Sequence, residues 1–404
     1  MKIYQVGGSV RDEILGIQKS ADRDFVVVNA TVEEFLNAFP NAKKVGANFP
    51  VFLVNGEEYA FARKEKKVSP GHKGFDIISD PEVTLEEDLK RRDITINAIA
   101  KDIETGELID PCGGLKDIKN KKIVHITDAF AEDPLRVYRV ARFSAVLNDF
   151  SVDPSTIGLM NSLKKELYEI SVERVWGECV KALSAGDPSK FFELLKESKV
   201  LDIHFTELND LIGVPAGPAE YHPGEIDTFD HTMKSLRRIS GKTKGTDPML
   251  AFSVLCHDLG KGLTSPENYP HHYDHDKAGI ESVENFCKKL KTPSSYLKCG
   301  VMASKYHLVA AKIKEMRPAK AVKLLSELKH FPAGSIKGFL RLIYADSGEG
   351  TETLSSYIDK VLPALDEKLP EKWKDMGEKS GEILLQIKAE KYKELKDNII
   401  SGEK

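Results

Sequence analysis

The first 125 residues alternate between short apolar runs and segments whose apolar side chains recur at helical spacing, which predicts a mixed α/β domain. The predicted elements are, in chain order, a strand that ends at Gly7-Gly8, a helix over 9–16, a strand over 24–28, a helix over 31–39 with Thr31 as its N-cap, and a hairpin over 51–63 around Asn55-Gly56. The segment 62–74 is basic, aperiodic and contains Gly and Pro, so we predict a mobile loop there.

From residue 126 onward the pattern is helical, most clearly over 133–147 and 170–183. The expected fold is an α+β head with a mixed sheet and helices, followed by an all-α remainder. We predict four parts: the head at 1–125, a helical neck and body at 126–220, a histidine-bearing domain at 221–350, and a helical tail at 351–404.

The composition narrows the class of protein. A length of 404 residues suits two or three domains, and five scattered cysteines without a CxxC argue against a disulfide framework, which fits a reducing cytoplasm. No apolar run approaches the ~18–20 residues that span a bilayer, and the N-terminus has no signal-peptide pattern. The net charge of −4 excludes a uniformly basic nucleic-acid binder, while a local basic surface stays compatible with one.

Two aspartates lie next to the apolar strand that follows the double glycine. Asp22 and Asp24 project to one face of a strand, where their charges repel unless cations lie between them. Gly8 opens a helix whose free N–H groups suit a phosphate, and Arg11 follows at a distance that suits a triphosphate. We predict that Asp22 and Asp24 hold Mg²⁺, with Glu58 as the candidate third carboxylate. The alternative is a solvated loop end.

A second group of charged residues could recognise a nucleotide. Arg92 lies in a basic turn and is predicted to contact phosphate or ribose. Asp133 precedes Pro134 and is predicted to be a helix N-cap, with Arg136 on the same edge of the helix. A carboxylate accepts from an exocyclic amino group and an arginine donates to the adjacent ring nitrogen, so this pair could accept C and A and reject U and G. Two further arginines, Arg139 and Arg142, follow at steps of three. The alternative is a simple cap followed by a solvated stripe.

Five motifs in a fixed order resemble one family. They are GGSVRDEILG, SADRDFVVV, LKRRDITINAIA, EDPLRVYRVARF and SVERVWGE. Together they resemble the tRNA nucleotidyltransferases, or CCA-adding enzymes, of the class shared with bacterial poly(A) polymerases, over roughly residues 1–350.

This resemblance implies addition of C, C and A to the 3′ end of tRNA from CTP and ATP, without a nucleic-acid template. It implies metals on the positions of Asp22 and Asp24. It implies nucleotide contacts at Gly8, Arg11, Arg92, Asp133, Arg136, Arg139 and Arg142. The loop 62–74 resembles the flexible loop with which family members switch from C to A addition. The segment 171–174 matches a neck motif that we interpret as a helix cap with an ion pair.

Seven of the eleven histidines fall between residues 222 and 307. The adjacent pair His257-Asp258 lies in an apolar helix, where both side chains are costly to bury unless a metal binds them. The run LCHDLGKG resembles the HD-domain phosphohydrolases and the proteobacterial CCA-adding subgroup that carries such a domain. The resemblance implies a divalent transition metal, such as Ni²⁺, or Mg²⁺ on His231, His257 and Asp258, with Asp346 as the candidate last ligand. It also implies phosphatase or 2′,3′-cyclic phosphodiesterase activity on RNA ends.

The chain departs from the expected HD pattern at a later helix, where Tyr306-His307-Leu308 lacks the expected aspartate, and after Asp346, where Ser347-Gly348-Glu349-Gly350 replaces an arginine-rich segment. Three more histidines, His271, His272 and His275, lie in a predicted loop, where they line an entrance or are solvated.

Three alternatives to CCA addition remain at this stage. They are a bacterial poly(A) polymerase, a metal-dependent phosphohydrolase with a non-catalytic RNA-binding head, and a non-catalytic tRNA-binding protein. We expect a cytoplasmic protein without a membrane partner, either a monomer or a homodimer.

Overall fold

The computed structural model describes residues 1–17, 23–45, 51–67, 75–78, 81–240, 245–374 and 376–402. The chain divides into two compact units. Unit 1 comprises Met1–Val175 and Leu194–Ile203, and unit 2 comprises Trp176–Glu193 and His204–Lys404. The domain boundaries at 125, 220 and 350 stay predictions.

The strands of the described chain all begin before residue 152. They are β1 (Lys2–Val6), β2 (Asp24–Val28), β3 (Lys43–Val45), β4 (Val51–Val54), β5 (Glu57–Phe61), β6 (Lys64–Lys67), β7 (Phe75–Ile78), β8 (Ala100–Asp102), β9 (Leu108–Ile109), β10 (Lys122–Ile123) and β11 (Ser151–Val152).

Helices connect these strands and then make up most of the chain. The helices that begin before residue 200 are α1 (Gly8–Ile14), α2 (Val32–Ala38), α3 (Leu85–Lys90), α4 (Gly114–Lys119), α5 (Arg136–Val146), α6 (Pro154–Ser162), α7 (Val172–Leu183) and α8 (Ser189–Glu197). The later ones are α9 (Leu201–His204), α10 (Thr206–Asn209), α11 (Thr228–Ile239), α12 (Pro248–Cys256), α13 (His275–Leu290), α14 (Ser294–Ala311), α15 (Pro318–Leu328), α16 (Ser335–Ser347), α17 (Thr351–Val361) and α18 (Glu378–Ser401). Short 3₁₀ turns link several of them, including Thr95–Asn97, Asp128–Glu132 and Leu259–Leu263.

Unit 1 contains a seven-stranded mixed sheet in the order β3-β4-β5-β2-β1-β8-β9. Strands β2 and β5 are parallel, and the other neighbours in this sheet are antiparallel. This confirms the predicted α+β head and the mostly helical remainder.

The central strand β2 is buried on both faces, which explains its unbroken apolar run. Phe25 and Val27 face an aromatic cluster that includes Phe35 and Tyr59, and the rings of Phe25 and Tyr59 stack with centroids 4.6 Å apart. Val26 and Val28 face the opposite cluster, which includes residues of β1 and β8. Asp24 begins this strand, so the core holds the backbone next to its carboxylate in place.

Local signals in the sequence predicted several elements correctly. Thr31 caps α2 in a reciprocal capping box, in which Glu34 N donates to Thr31 Oγ1 and Thr31 N donates to Glu34 Oε2. Strands β4 and β5 form the predicted hairpin, and Asn55 and Gly56 both adopt positive φ at its turn, as a tight two-residue hairpin requires.

Two segments differ from the expectation. The predicted loop 62–74 is wrong at its start, because Lys64–Lys67 forms β6 and pairs antiparallel with β7, while residues 68–74 lie outside the described residues. A strand held by main-chain pairing needs no apolar alternation, so the sequence carried no signal for it. The predicted helical region after 126 also contains the two-residue strand β11, which pairs parallel with β10.

Unit 2 packs its helices around the apolar helix α12. Phe252 contacts the rings of Trp176, Tyr296 and Phe286, and residues 250–256 are all buried. Among the described residues, no helix is long and apolar enough to cross a membrane.

The aromatic cluster of unit 1 generates a stability prediction. Replacing Phe35, which is fully buried against four aromatic rings, by Ala should lower the free energy of unfolding of unit 1 by about 3–5 kcal/mol. The neighbour Leu36 on the same helix is partly exposed, so Leu36→Ala should cost clearly less. Calorimetric unfolding of both variants tests this. Equal losses for the two variants would contradict the packing described here.

Candidate functional site

A cavity of about 560 Å³ opens in unit 1. Eight arginines line it together with three aspartates, so it is strongly positive and suits an anionic ligand. Of the residues predicted from sequence, it is lined by Gly8, Arg11, Asp24, Arg92, Asp133, Arg136, Arg139 and Arg142. It is also lined by Arg63, Arg91, Asp93, Asn97 and Arg174, which the sequence did not single out as ligand contacts.

The double glycine lets charged groups approach the backbone. Gly7 has a φ of +78°, and a Cβ there would lie 3.3 Å from Nη1 of Arg92 and 3.9 Å from Oδ2 of Asp24. A side chain at residue 7 would therefore be strained and would crowd both groups. Asp22, the other predicted metal ligand, lies outside the described residues.

Glu58 lies beside Asp24 on the neighbouring strand. The two residues are in-register partners on the parallel strands β2 and β5, so their side chains leave the sheet on the same face. Glu57, the next residue along β5, projects to the other face and forms an ion pair with Arg23. Carboxylate oxygens are the ligands that Mg²⁺ prefers, so Asp24 with Glu58 fits the predicted third-carboxylate arrangement.

A buried carboxylate organises the basic turn. Asp88 on α3 is fully buried and accepts hydrogen bonds from Arg91 and Arg92. Burial alone would raise the pKa of Asp88, but the two guanidinium groups outweigh it and hold the pKa below its usual value. Asp88 therefore holds two arginines of the cavity wall in place.

Asp93, the next aspartate along the chain, likewise holds an arginine in place, in this case one on helix α5. Asp93 is buried, and its Oδ2 accepts from Arg139 of α5 at 2.7 Å. Burial would raise the pKa of Asp93, and Arg139 lowers it below its usual value. This ion pair ties the basic turn to α5.

Arg11 projects into the cavity from α1. Its Nη1 donates to Oδ1 of Asn97 at 2.6 Å, and its Nε donates to Asp12. Asn97 lies in a 3₁₀ turn and is buried. The single amide side chain within the largely apolar segment 94–100 is the sequence feature that could have identified Asn97 as a residue of the site.

The structure places Asp133 just before a helix, as the sequence predicts. Helix α5 begins at Arg136, two residues later than expected, and Asp133 has the extended backbone of an N-cap, with its side chain accepting from Leu135 N. Asp133 and Arg136 both line the cavity. Oδ2 of Asp133 accepts from Nη2 of Arg174 at 2.9 Å, while Arg136 donates to the carbonyls of Ala129 and Arg91.

The guanidinium nitrogens of this wall include Nε of Arg92 and Nη1 of Arg174, which are buried without a hydrogen-bond partner among the described residues. A buried donor without an acceptor costs about 1–3 kcal/mol, so the close packing of these arginines is unfavourable until an acceptor approaches.

Unit 2 contains a second site around the pair His257-Asp258. Nε2 of His231 lies 3.3 Å from Nε2 of His257 and 3.2 Å from Oδ1 of Asp346. Oδ2 of Asp258 lies 3.5 Å from Nε2 of His231 and 3.2 Å from Nε2 of His257. Ligand atoms about 2.1 Å from a tetrahedral metal lie about 3.4 Å from one another, so these four residues match the edges of one metal site.

The hydrogen bonds of the two histidines leave their inner nitrogens free for a metal. Nδ1 of His257 lies 2.7 Å from the carbonyl of Val254, which can only accept, so Nδ1 carries the proton. Nδ1 of His231 donates to Glu225 at 3.0 Å, the support that metal-binding histidines usually have. The neutral rings then turn two Nε2 lone pairs toward each other, an arrangement that a cation between them stabilises.

Helix α11 holds Asp346 in place, a contact that the sequence did not reveal. Arg238, on the same helix as His231, donates to the main-chain carbonyls of Ala345 and Asp346 at the end of α16. Helix α16 then ends at Gly348, which has positive φ.

Comparison with known families defines the class of unit 1. A family model described as "Poly A polymerase head domain" matches residues 3–124, and one described as "Probable RNA and SrmB- binding site of polymerase A" matches residues 149–212. The mixed sheet, the arginine-lined cavity and the first match together define a nucleotidyltransferase head.

A relative that matches most of the chain narrows the class of protein to one family. The chain is 45% identical over 337 residues to the "Multifunctional CCA protein" of Mannheimia succiniciproducens, covering 81% of this chain and 79% of that protein. The chain therefore belongs to the CCA-adding tRNA nucleotidyltransferases, which confirms the family expected from its motifs.

Solved structures share the fold. The Thermotoga maritima CCA-adding enzyme complexed with tRNA_CCA matches with a TM-score of 0.62 and 20% identity, over 100% of this chain and 92% of that one. A tRNA-processing enzyme with CTP matches with a TM-score of 0.57 and 25% identity, over 96% of each chain.

The buried ion pairs of Asp88 generate a stability prediction with a defined pH dependence. Asp88→Asn should lower the free energy of unfolding at neutral pH by about 2–4 kcal/mol, because it leaves two partly buried arginines without their counter-charge. The pKa of Asp88 is lowered in the folded state, so its stabilisation is present above the ordinary unfolded pKa of about 4 and is lost as the pH falls through the folded pKa.

Denaturant unfolding between pH 3 and pH 7 measures this difference, which should shrink toward the acid end. Glu86→Gln on the same helix removes only an exposed pair with Lys90 and should change stability by less than about 1 kcal/mol. A difference between wild type and Asp88→Asn that stays constant with pH would contradict the role of the charge.

Proposed function

We propose that the cavity of unit 1 is the active site at which this enzyme adds C, C and A to the 3′ end of tRNA from CTP and ATP. The observation that carries the assignment is the convergence of eight arginines on one cavity next to Asp24. A cytoplasmic location is part of this proposal.

The metal ligands in this proposal are Asp22 and Asp24, with Glu58 as the third carboxylate. The family uses a divalent metal, and oxygen ligands suit Mg²⁺. Bound Mg²⁺ activates the attacking 3′ hydroxyl and stabilises the pyrophosphate leaving group. The role of this chain is to hold Asp24 at the start of β2, where the buried strand keeps its backbone in place.

The triphosphate would lie against Gly8, Arg11 and Arg92. A guanidinium group binds phosphate oxygens in a bidentate way, and Arg92 is already oriented by Asp88. Because Asp88 neutralises only part of the charge in this wall, the cavity keeps an excess of positive charge for the nucleotide.

Base selection would depend on Asp133 as the acceptor for the exocyclic amino group of C or A. Arg174 then acts as a positioning residue, because its Nη2 holds the carboxylate of Asp133. Arg136 uses two of its five N–H donors on the main-chain carbonyls of Ala129 and Arg91, which hold its guanidinium group in the cavity wall. Arg139 and Arg142 would contact other parts of the nucleotide.

The experiment that tests this proposal uses tRNA that lacks its 3′ CCA end. With CTP alone we expect two added residues, with ATP alone none, and with both nucleotides three residues followed by a stop, read on a sequencing gel. A long A tail would instead show poly(A) polymerase activity. Asp24→Asn should lower incorporation at least about 100-fold, because a metal ligand is lost.

The matched control is Asp366→Asn, which removes an exposed surface pair with Lys329 and should leave incorporation unchanged. Full incorporation by Asp24→Asn would overturn the assignment of Asp24.

We propose in addition that the histidine site of unit 2 is an HD-type phosphohydrolase centre that acts on RNA ends as a phosphatase or 2′,3′-cyclic phosphodiesterase. Its ligands would be His231, His257, Asp258 and Asp346. The lone pairs of His231 and His257 support this, since imidazole ligands suit transition metals such as Ni²⁺ better than Mg²⁺. A metal with an open position generates a nucleophilic hydroxide from water.

Release of product from a 2′,3′-cyclic nucleotide in the presence of Ni²⁺ or Mg²⁺ tests this second activity. His257→Ala should abolish the release, because it removes a ligand, whereas His271→Ala alters an exposed histidine and should not. Nucleotide incorporation should be normal in both variants and serves as the folding control. Equal hydrolysis by wild type and His257→Ala would refute the activity.

A further inference from the structure

The wall of the cavity in unit 1 includes an uncharged group among its many charges, the ring of Phe143. Among the described residues that line the cavity, Phe143 is the only aromatic one. It lies on α5 and is 5% exposed. Because its neighbours in the wall are mostly arginines, the ring contacts cations as well as the core of unit 1.

Three guanidinium groups lie over this ring. Cζ of Arg142 is 4.0 Å from the ring centroid, Cζ of Arg11 is 5.6 Å from it and Cζ of Arg139 is 5.7 Å from it. A cation within about 6 Å of the centroid is attracted by the negative face of an aromatic ring. The ring therefore helps to hold all three arginines in place.

The three arginines reach the ring from two helices. Arg139 precedes Phe143 by one helical turn and Arg142 is its neighbour in the chain, so both contacts are local to α5. Arg11 comes from α1, and its Nη1 also donates to Oδ1 of Asn97. The ring is therefore a point at which α1 and α5 bring their arginines together.

An aromatic ring and a carboxylate hold an arginine in different ways. Asp93 accepts from Arg139 and Asp12 accepts from Arg11, and each carboxylate neutralises part of the positive charge in the wall. A ring attracts a cation through its quadrupole and has no net charge. Phe143 therefore offsets part of the repulsion between three guanidinium groups without lowering the positive charge that an anionic ligand meets.

Contact with the ring also leaves the hydrogen-bond donors of an arginine available. A guanidinium group donates in its own plane and packs on an aromatic ring through its face. An arginine over Phe143 can therefore donate to a phosphate oxygen at the same time, whereas a bond to a carboxylate occupies donors. Burial of the ring strengthens the attraction, because water competes less for the cation.

We propose that Phe143 is a positioning residue for nucleotide binding, whose ring holds Arg11, Arg139 and Arg142 ready for the nucleotide without reducing their charge. This inference rests on the proposed assignment of the cavity as the active site. It gives Phe143 a role beyond filling the core of unit 1. Nucleotide affinity should then depend on the charge of the ring face as well as on the volume of the ring.

Fluorinated phenylalanines at position 143 separate these two properties. Mono-, di- and trifluorophenylalanine are close to phenylalanine in size, while each fluorine withdraws negative charge from the ring face. In CTP addition to tRNA that lacks its CCA end, KM for CTP should rise with each fluorine, to about 10-fold for the trifluoro ring, the size expected of a buried cation–π contact. The value of kcat should change less than about 2-fold, because the ring acts on binding and not on the reacting atoms.

The matched control is the same series at Phe150, which is also 5% exposed in unit 1 but is not among the described residues that line the cavity. Its KM should stay constant, and thermal unfolding verifies that each variant is folded. A constant KM across the Phe143 series, or an equal rise in the Phe150 series, would overturn the role of the ring. Absence of CTP addition by the wild-type enzyme would instead overturn the assignment of the cavity.

Discussion

A carboxylate that is buried without a positive partner is costly, and the arrangement of both sites follows from that cost. In unit 1 arginines of the protein offset this cost, because Asp88 and Asp93 bind arginines from the basic turn and from α5. The same pairs solve the opposite problem, because arginines gathered around one cavity repel each other. In unit 2 the buried carboxylate of Asp258 has Nζ of Lys261 at 2.7 Å from Oδ2, and a bound metal ion would add further counter-charge.

Close backbone approach is the second requirement that the two sites share. Gly7 allows Arg92 and Asp24 to lie against the turn between β1 and α1, and Gly260 and Gly279 allow three segments of unit 2 to meet around Asp258. A side chain would occupy space that charged groups fill at Gly7, and that main-chain atoms or the hydroxyl of Ser304 fill at Gly260 and Gly279. The glycines therefore act through the volume they leave open as well as through their backbone freedom.

The expectations that succeeded were local. The capping box at Thr31, the hairpin at Asn55-Gly56 and the buried strand after Asp24 depend on neighbours within a few residues, which a sequence displays directly. Contacts between distant residues were not predicted. One oxygen of Asp133 accepts from Leu135 N close by, whereas the other accepts from Arg174 of α7. No periodicity in the sequence encodes such a contact across 41 residues.

The sequence by itself determined the family, the mixed α/β head with a helical remainder, and most of the arginines that line the cavity, because each depends on short motifs in a fixed order. Only the tertiary structure decided how these charges are paired. It also decided that His275 and His307, 32 residues apart, meet at one oxygen of Asp258. The physical reason is that side-chain partners are chosen by the packing of helices and turns, which brings together atoms whose separation along the chain carries no information about their distance in space.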